Sequence, residues 1–155
     1  MPLRTATIWE TIVGEAELES PLWSAALRAP EEREETAIFS PLGDARFALG
    51  IESIYEGYLL HYGHPRLFSP DDRDTAILLG DYLYAHGLVR ITREGDVRAV
   101  ERLAELLSLC AHLRAESRGS EDGEAWASTV ESLGDGDPAP DARRRAVALH
   151  AARVD

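Results

Sequence analysis

The segment from Thr75 to Arg93, TAILLGDYLYAHGLVRITR, decides the fold because it predicts a long helix that is apolar on nearly every side. Its apolar residues include Ile77, Leu78, Leu79, Leu83, Leu88, Val89 and Ile91. This distribution is typical of a helix with neighbours all round, so the sequence predicts the central helix here. Gly80 and Gly87 lie nearly on one face, and their cost in helix propensity favours a second backbone in close contact.

Asp81 is the one carboxylate in the middle of this apolar helix. A buried charge is costly unless it is paired, hydrogen-bonded or neutralised, so Asp81 is expected to have a polar partner. One interpretation is structural, with Asp81 tying the helix to a neighbouring backbone or arginine. The other is that Asp81 has a functional role.

Two further helices are predicted on either side of the central helix, which spans residues 72–93. Before it, apolar residues recur at spacings of three and four, which predicts a helix over residues 44–62 that Gly63 ends. After it, Glu94-Gly95-Asp96 predicts a tight turn into an antiparallel helix over residues 96–116. These three helices are expected to form the inner layer.

Shorter helices are predicted around this layer. The first 28 residues predict one or two helices, and Pro30 with the acidic run after it predicts a helix that reaches Phe39. A weaker helix is expected over residues 126–133. The predicted fold is all-α, a single-domain bundle of about six helices. Its parts are a helical domain over residues 1–133, a flexible linker over 134–140 and a short basic helix over 141–155.

Composition excludes several classes of protein. A net charge of -12, with 16 arginines and no lysine, argues against a nucleic-acid binder that contacts the phosphate backbone. Cys110 is the single cysteine, so neither an internal disulfide nor a cysteine zinc site is possible. No signal peptide and no apolar run of about 20 residues is present, so we expect a cytoplasmic protein without a stable membrane anchor.

A cluster of histidines and aspartates is the candidate metal site. It consists of His61, His64, Asp71, Asp72 and Asp74. Imidazole and carboxylate are common metal ligands, but the spacing matches no helical ligand motif, because His64 follows the glycine that ends its helix. The aspartates have an alternative role at the start of the central helix, where Ser69 or Asp71 is the expected N-cap. We therefore assign no metal ligand in this chain.

The run LLGDYLYAHGLVRITREGDVRAVERLAELL, residues 78–107, resembles a helix pair of the all-trans polyprenyl diphosphate synthases. It is most similar to the small, non-catalytic subunit of heterodimeric heptaprenyl diphosphate synthases. Gly80, Asp81 and Tyr82 take the positions of the Gly-Asp-Tyr motif, and Gly95-Asp96 with Leu103-Ala104 take the later ones. The resemblance covers residues 44–116 and implies part of the isoprenoid-synthase fold.

The helix before this run shows where the chain departs from the catalytic members. There, Leu-Leu-His is followed by an Asp-Asp-x-x-Asp motif that holds magnesium on the allylic diphosphate. Here, Leu59-Leu60-His61 is followed by Tyr62, Gly63 and Arg66 at the three carboxylate positions. Without the metal, the leaving diphosphate loses its main stabilisation. The resemblance therefore implies a chain with no catalytic or substrate-binding residues of its own and no bound cofactor.

By the same resemblance, the expected partner is a catalytic prenyl diphosphate synthase subunit that carries the magnesium, with menaquinone synthesis as the downstream use. The resemblance and the composition of the two inner helices give the candidate structural and interface residues. They are Tyr58, Tyr62, Gly80, Asp81, Tyr82, Tyr84 and Gly87. The central helix, with the long helix before it, is expected to face the partner at Gly80 and Gly87. The alternative is that Gly87 packs within the chain's own core.

Two alternatives stay open. The first is a stand-alone helical interaction or scaffold protein, and the second is a metal-dependent hydrolase built from the histidines and aspartates. An interface role predicts a sizeable apolar patch on one helix face, whereas a stand-alone protein is expected to be polar all round. A metal enzyme requires His61 or His64 to converge with the carboxylates of residues 71–74.

Overall fold

The structure is a computed structural model that describes residues 5–154. Within these residues the chain forms α-helices and short 3₁₀ turns, and no strand longer than an isolated bridge occurs, which confirms the all-α prediction. The α-helices of this part of the chain are α1 (Ile8–Glu19), α2 (Pro21–Ala25), α3 (Ala48–Tyr62), α4 (Arg73–Arg93), α5 (Val97–Ala115), α6 (Asp122–Glu131) and α7 (Pro140–Ala151).

Side-chain caps fix where α4 and α5 begin. The carboxylate of Asp72 accepts a hydrogen bond from the backbone N–H of Thr75 at 2.8 Å, so the expected caps one and three residues earlier were wrong. Asp96 caps α5 in the same way, at 3.0 Å, directly after Gly95. Gly95 has a φ of 78°, the left-handed conformation that glycine adopts without strain. The predicted turn between α4 and α5 is therefore confirmed.

The central helix of the bundle is α3, and the prediction that α4 holds this place was wrong. Every residue from Gly50 to Leu60 is buried, whereas α4 exposes Leu78 and Val89 on its outer side. Apolar residues all round α4 indicated burial, but no helix of the described chain covers the outer face. In α3, the presence of Glu52 and Glu56 argued against burial, because carboxylates are rarely buried without partners.

Helices α3 and α4 pack through pairs of glycines. An added Cβ atom at Gly80 would lie 2.9 Å from the carbonyl oxygen of Gly57, and one at Gly87 would lie 2.8 Å from that of Gly50. The two helices therefore run antiparallel with their backbones in close contact, which confirms the prediction of a second backbone beside Gly80 and Gly87. That backbone belongs to α3, so the expectation that these glycines face another subunit was wrong.

The predicted helix over residues 30–39 is instead an extended strap after one 3₁₀ turn, Pro30–Glu32. The strap buries Ile38 and Phe39 in the core beside α3. Glu52 of α3 accepts hydrogen bonds from the backbone N–H groups of Ile38 and Ser40, at 3.4 and 3.2 Å. The N–H of Ile38 therefore bonds to a side-chain carboxylate and not to the carbonyl four residues earlier, as the predicted helix would require, which explains the difference.

The N-terminal helices close one side of the α3–α4 pair. Trp9 and Ile12 of α1 belong to a second buried cluster with Leu79 of α4. The Trp23 ring lies 5.7 Å from the ring of Tyr82, so Trp9 and Trp23 both cover this cluster.

The C-terminal helix α7 packs against α6 and buries Ala146 and His150 in the main core. Helix α6 begins at Asp122, four residues before the start predicted for it, and its Trp126 is fully buried. Both helices therefore contribute to the core that surrounds α3.

Candidate functional site

The centre of the molecule contains a buried ion-pair cluster of Arg66, Glu52 and Glu56, with none of the three side chains exposed. The Arg66 guanidinium donates to Glu52 at 2.7 Å and to Glu56 at 3.0 Å. It also donates to the backbone oxygen of Thr36 at 2.7 Å. Glu56 further accepts hydrogen bonds from the backbone N–H groups of Arg66 and Leu67, at 3.1 and 2.7 Å.

This cluster balances a large desolvation cost with charge-assisted hydrogen bonds. Burial alone disfavours the charged guanidinium, but the two glutamates hold the pKa of Arg66 above its ordinary value. Its guanidinium also lies 4.9 Å from the Trp9 ring and 5.1 Å from the Tyr55 ring. Through these contacts Arg66 joins the strap, α1 and α3, so its role is structural.

A second buried network is centred on Asp122, at the start of α6. One carboxylate oxygen lies 2.7 Å from Nε2 of His150, and the other accepts hydrogen bonds from Tyr58 at 2.5 Å and from Arg114 at 2.7 Å. Nδ1 of His150 lies 2.7 Å from the hydroxyl of Tyr55. The network therefore joins α3, α5, α6 and α7.

The protonation of this network follows from its contacts. Burial opposes ionisation of Asp122, but hydrogen bonds from His150, Tyr58 and Arg114 outweigh it and lower the pKa of the carboxyl to about 2. Burial raises the pKa of the Tyr58 hydroxyl well above its ordinary value, so the phenol keeps its proton. Burial likewise raises the pKa of the Cys110 thiol to about 12, which makes a reactive thiolate unavailable there.

A cavity of about 270 Å³ lies beside this network. Its lining residues are Arg114, Gly119, Ser120, Asp122, Gly123, Val147, His150, Ala151 and Val154. Both carboxylate oxygens of Asp122 and both ring nitrogens of His150 are already bonded within the chain. Neither residue therefore presents a free base or proton to the cavity, and the network acts as the attachment of α7 to the core.

The expected interface residues divide into three groups. Tyr58, Gly80 and Gly87 are buried by the chain's own residues, so the structure contradicts a partner-facing position for them. Tyr62, the last residue of α3, and Tyr84 of α4 are half-buried against the main core. The Tyr62 ring lies 4.8 Å from the Tyr58 ring.

Asp81 and Tyr82 lie toward the outer side of α4. The side chain of Asp81 is 61% exposed and lies 3.2 Å from Nε2 of His61, so the expectation of a buried carboxylate was wrong. Tyr82 is half-buried between the rings of Trp23 and His86.

The histidines and aspartates of the candidate metal site do not converge. Among residues 5–154, no three His, Cys, Asp or Glu side chains are placed to hold a metal ion. His61 instead donates to the backbone oxygen of Ile77 at 3.1 Å, and Asp72 caps α4. The convergence that a hydrolase of this type requires is therefore not found in the described part of the chain.

Sequence reasoning missed both buried networks. Glu52 and Glu56, four residues apart in an otherwise apolar helix, were the available signal for the first, because carboxylates in such a helix require a buried cation. The second joins Asp122 and His150 to residues of α3 that are far away in sequence, and no local pattern indicates it.

Comparison with known proteins adds no family to this description. No protein-family model, curated protein or solved structure matches the chain. None of the helices over residues 5–154 has both the length and the apolar character needed to cross a bilayer.

Proposed function

We propose that the chain is a non-catalytic subunit of a hetero-oligomeric long-chain all-trans polyprenyl diphosphate synthase of the heptaprenyl type. The proposal is supported by the structural contacts of Tyr62, Gly63 and Arg66. These residues occupy the positions at which the resemblance places metal-binding carboxylates. Arg66 is a fully buried cation that holds two glutamates, so its position is part of the core. An arginine at this place supplies no oxygen ligand for magnesium.

The other two positions have structural roles as well. Gly63 pairs with Val154 in an isolated bridge, and an added Cβ atom would collide with the backbone of Arg153. The Tyr62 ring lies 5.2 Å from the guanidinium carbon of Arg114. All three positions therefore contribute to packing, which argues against metal-dependent catalysis at these positions.

In this proposal the magnesium-dependent condensation belongs to the catalytic subunit. The present chain influences its activity or product length, and the pair operates in the cytoplasm, where it supplies the prenyl side chain of menaquinone. An exposed apolar face on the outside of α4, formed by Leu78, Ala85 and Val89, supports an interface role.

Incorporation of isopentenyl diphosphate into long-chain product tests the proposal. The catalytic subunit is taken from the cell that encodes this chain, and turnover is compared for each protein alone and for the mixture. We expect no turnover by this chain alone, and a mixture that is faster or makes longer product than the catalytic subunit alone. Turnover by the isolated chain, or a mixture indistinguishable from the catalytic subunit, overturns the proposal; the second result favours a stand-alone interaction protein.

A further inference from the structure

The outer face of α4 is an apolar stripe that the described chain leaves uncovered. Leu78 is 55% exposed and Val89 is 49% exposed, and Ala85 lies exposed between them. At 100° per residue these three positions share one side of the helix, opposite Gly80 and Gly87, which pack on α3. The stripe is therefore directed away from the core along the length of α4.

One edge of this stripe is closed by the N-terminal helices. Glu15 of α1 pairs with Arg90 and lies 3.6 Å from His86, and the Trp23 ring packs on Tyr82. Glu15 and Arg90 on this edge thus already pair within the chain.

The other edge of the stripe is acidic. Asp74 and Asp81 lie seven residues apart on that side of α4, and both are exposed. Asp81 lies 3.2 Å from Nε2 of His61, which also bonds to the backbone oxygen of Ile77. The stripe therefore combines an apolar centre with a line of negative charge along one side.

From this arrangement we propose that the outer face of α4 binds one amphipathic helix of a partner, with lysine or arginine along the edge that meets Asp74 and Asp81. That the partner is the catalytic synthase subunit rests on the proposed function. Ala85 at the centre allows a second helix to approach closely, at an axis separation of about 8–10 Å. Leu78 and Val89 then enter the apolar stripe of that helix.

A second copy of this chain fits the face less well. In an antiparallel two-fold pair each edge of α4 meets the same edge of its copy, so the acidic edge with Asp74 and Asp81 would face a second acidic edge. The net charge of -12 adds repulsion between whole molecules. A helix with a basic edge removes both penalties and gains charge pairs that weaken with salt.

Two synthetic helical peptides test the inference with the full chain. Both carry the same leucine stripe, but one has lysine and the other glutamate along one edge, and binding is followed by fluorescence anisotropy. We expect the lysine peptide to bind at least about tenfold more tightly than the glutamate peptide, a difference that shrinks at high salt. Equal binding of the two peptides overturns the proposal.

Variants locate the binding face. Val89→Glu is expected to weaken binding of the lysine peptide by about tenfold or more, whereas Val97→Glu, at an even more exposed valine on α5, leaves it unchanged. D81K is expected to weaken binding, and E31K, at an exposed glutamate of the strap, serves as its charge control. Circular dichroism confirms that each variant keeps its helices. Equal losses for a variant and its control contradict binding at α4.

The same variants separate this inference from the proposed function. If the lysine peptide binds at α4 but the catalytic subunit does not associate, α4 is a binding face and the proposed identity of the partner is wrong. If the catalytic subunit binds Val89→Glu as tightly as the unchanged chain, the subunit role stands and the face is wrong.

Discussion

Replacing Gly87 by alanine tests the close packing of α3 and α4. The new Cβ atom would lie 2.8 Å from the carbonyl oxygen of Gly50 and in collision with the Ile54 side chain, so the two helices must move apart. Such overpacking costs about 1–3 kcal/mol. Alanine recovers about 1 kcal/mol of helix propensity, which leaves a net loss of up to about 2 kcal/mol in the free energy of unfolding.

Gly14 supplies the matched control, because it lies inside α1 and an added Cβ atom there meets no atom within 4 Å. Gly14→Ala is therefore expected to stabilise the protein by about 0.5–1 kcal/mol. The same chemical change thus has opposite signs at the two positions.

Thermal unfolding followed by far-UV circular dichroism measures both variants. In a protein of this size 1 kcal/mol corresponds to about 2–4 °C in Tm, so Gly87→Ala is expected to lower Tm and Gly14→Ala to raise it. A Gly87→Ala variant stabilised as much as Gly14→Ala would show that the helices tolerate the methyl group, and the reasoning about the close packing of the glycines would fail. Larger residues at Gly87 should unfold the chain itself rather than release a partner.

Three further predictions concern charged residues. Arg66→Met leaves two glutamates buried without their cation and is expected to lower the free energy of unfolding by about 3–5 kcal/mol in chemical denaturation. Arg46→Met, at an exposed arginine, is expected to change it little. Equal effects of the two substitutions would contradict the buried cluster. Because the pKa of Asp122 lies near 2, below its ordinary 3.8, its stabilisation is present above the ordinary value and is lost as pH falls through about 2. Acid titration of unfolding should therefore show a loss of about 2 kcal/mol that Asp122→Asn lacks, and parallel curves for the two proteins would refute it. Asp81→Ala removes an exposed pair and should cost less than about 1 kcal/mol, so a larger shift of the denaturation midpoint would show that Asp81 is structurally required.

Local patterns in the sequence predict much of the helical framework. The turn at Gly95 and the cap at Asp96 follow from residue chemistry within a few positions, and the structure has both. The spacing of Gly80 and Gly87 predicts a close backbone, because helix propensity is lost at two positions on one face. The spacing does not identify the neighbouring helix, because close packing on α3 and close packing on a partner helix both favour glycines at these two positions.

The buried networks depend on contacts between distant segments. Tyr55 and His150 lie 95 positions apart in sequence, and their contact depends on how α7 returns to α3. The pattern of apolar residues likewise favours α4 over α3 as the central helix, because Glu52 and Glu56 interrupt the apolar residues of α3. Carboxylates can occupy the centre of a bundle when a cation such as Arg66 and backbone donors satisfy them.

We propose that this chain associates with a catalytic prenyl diphosphate synthase subunit. The mass of the mixture of the two proteins tests this association most directly. Light scattering after size-exclusion chromatography gives the mass of each protein alone and of the two combined. The proposal predicts that the 17.1 kDa chain moves into a larger species with the catalytic subunit, and that high salt reduces this species. Two proteins that elute at their separate masses, at concentrations well above those of the activity assay, would contradict it.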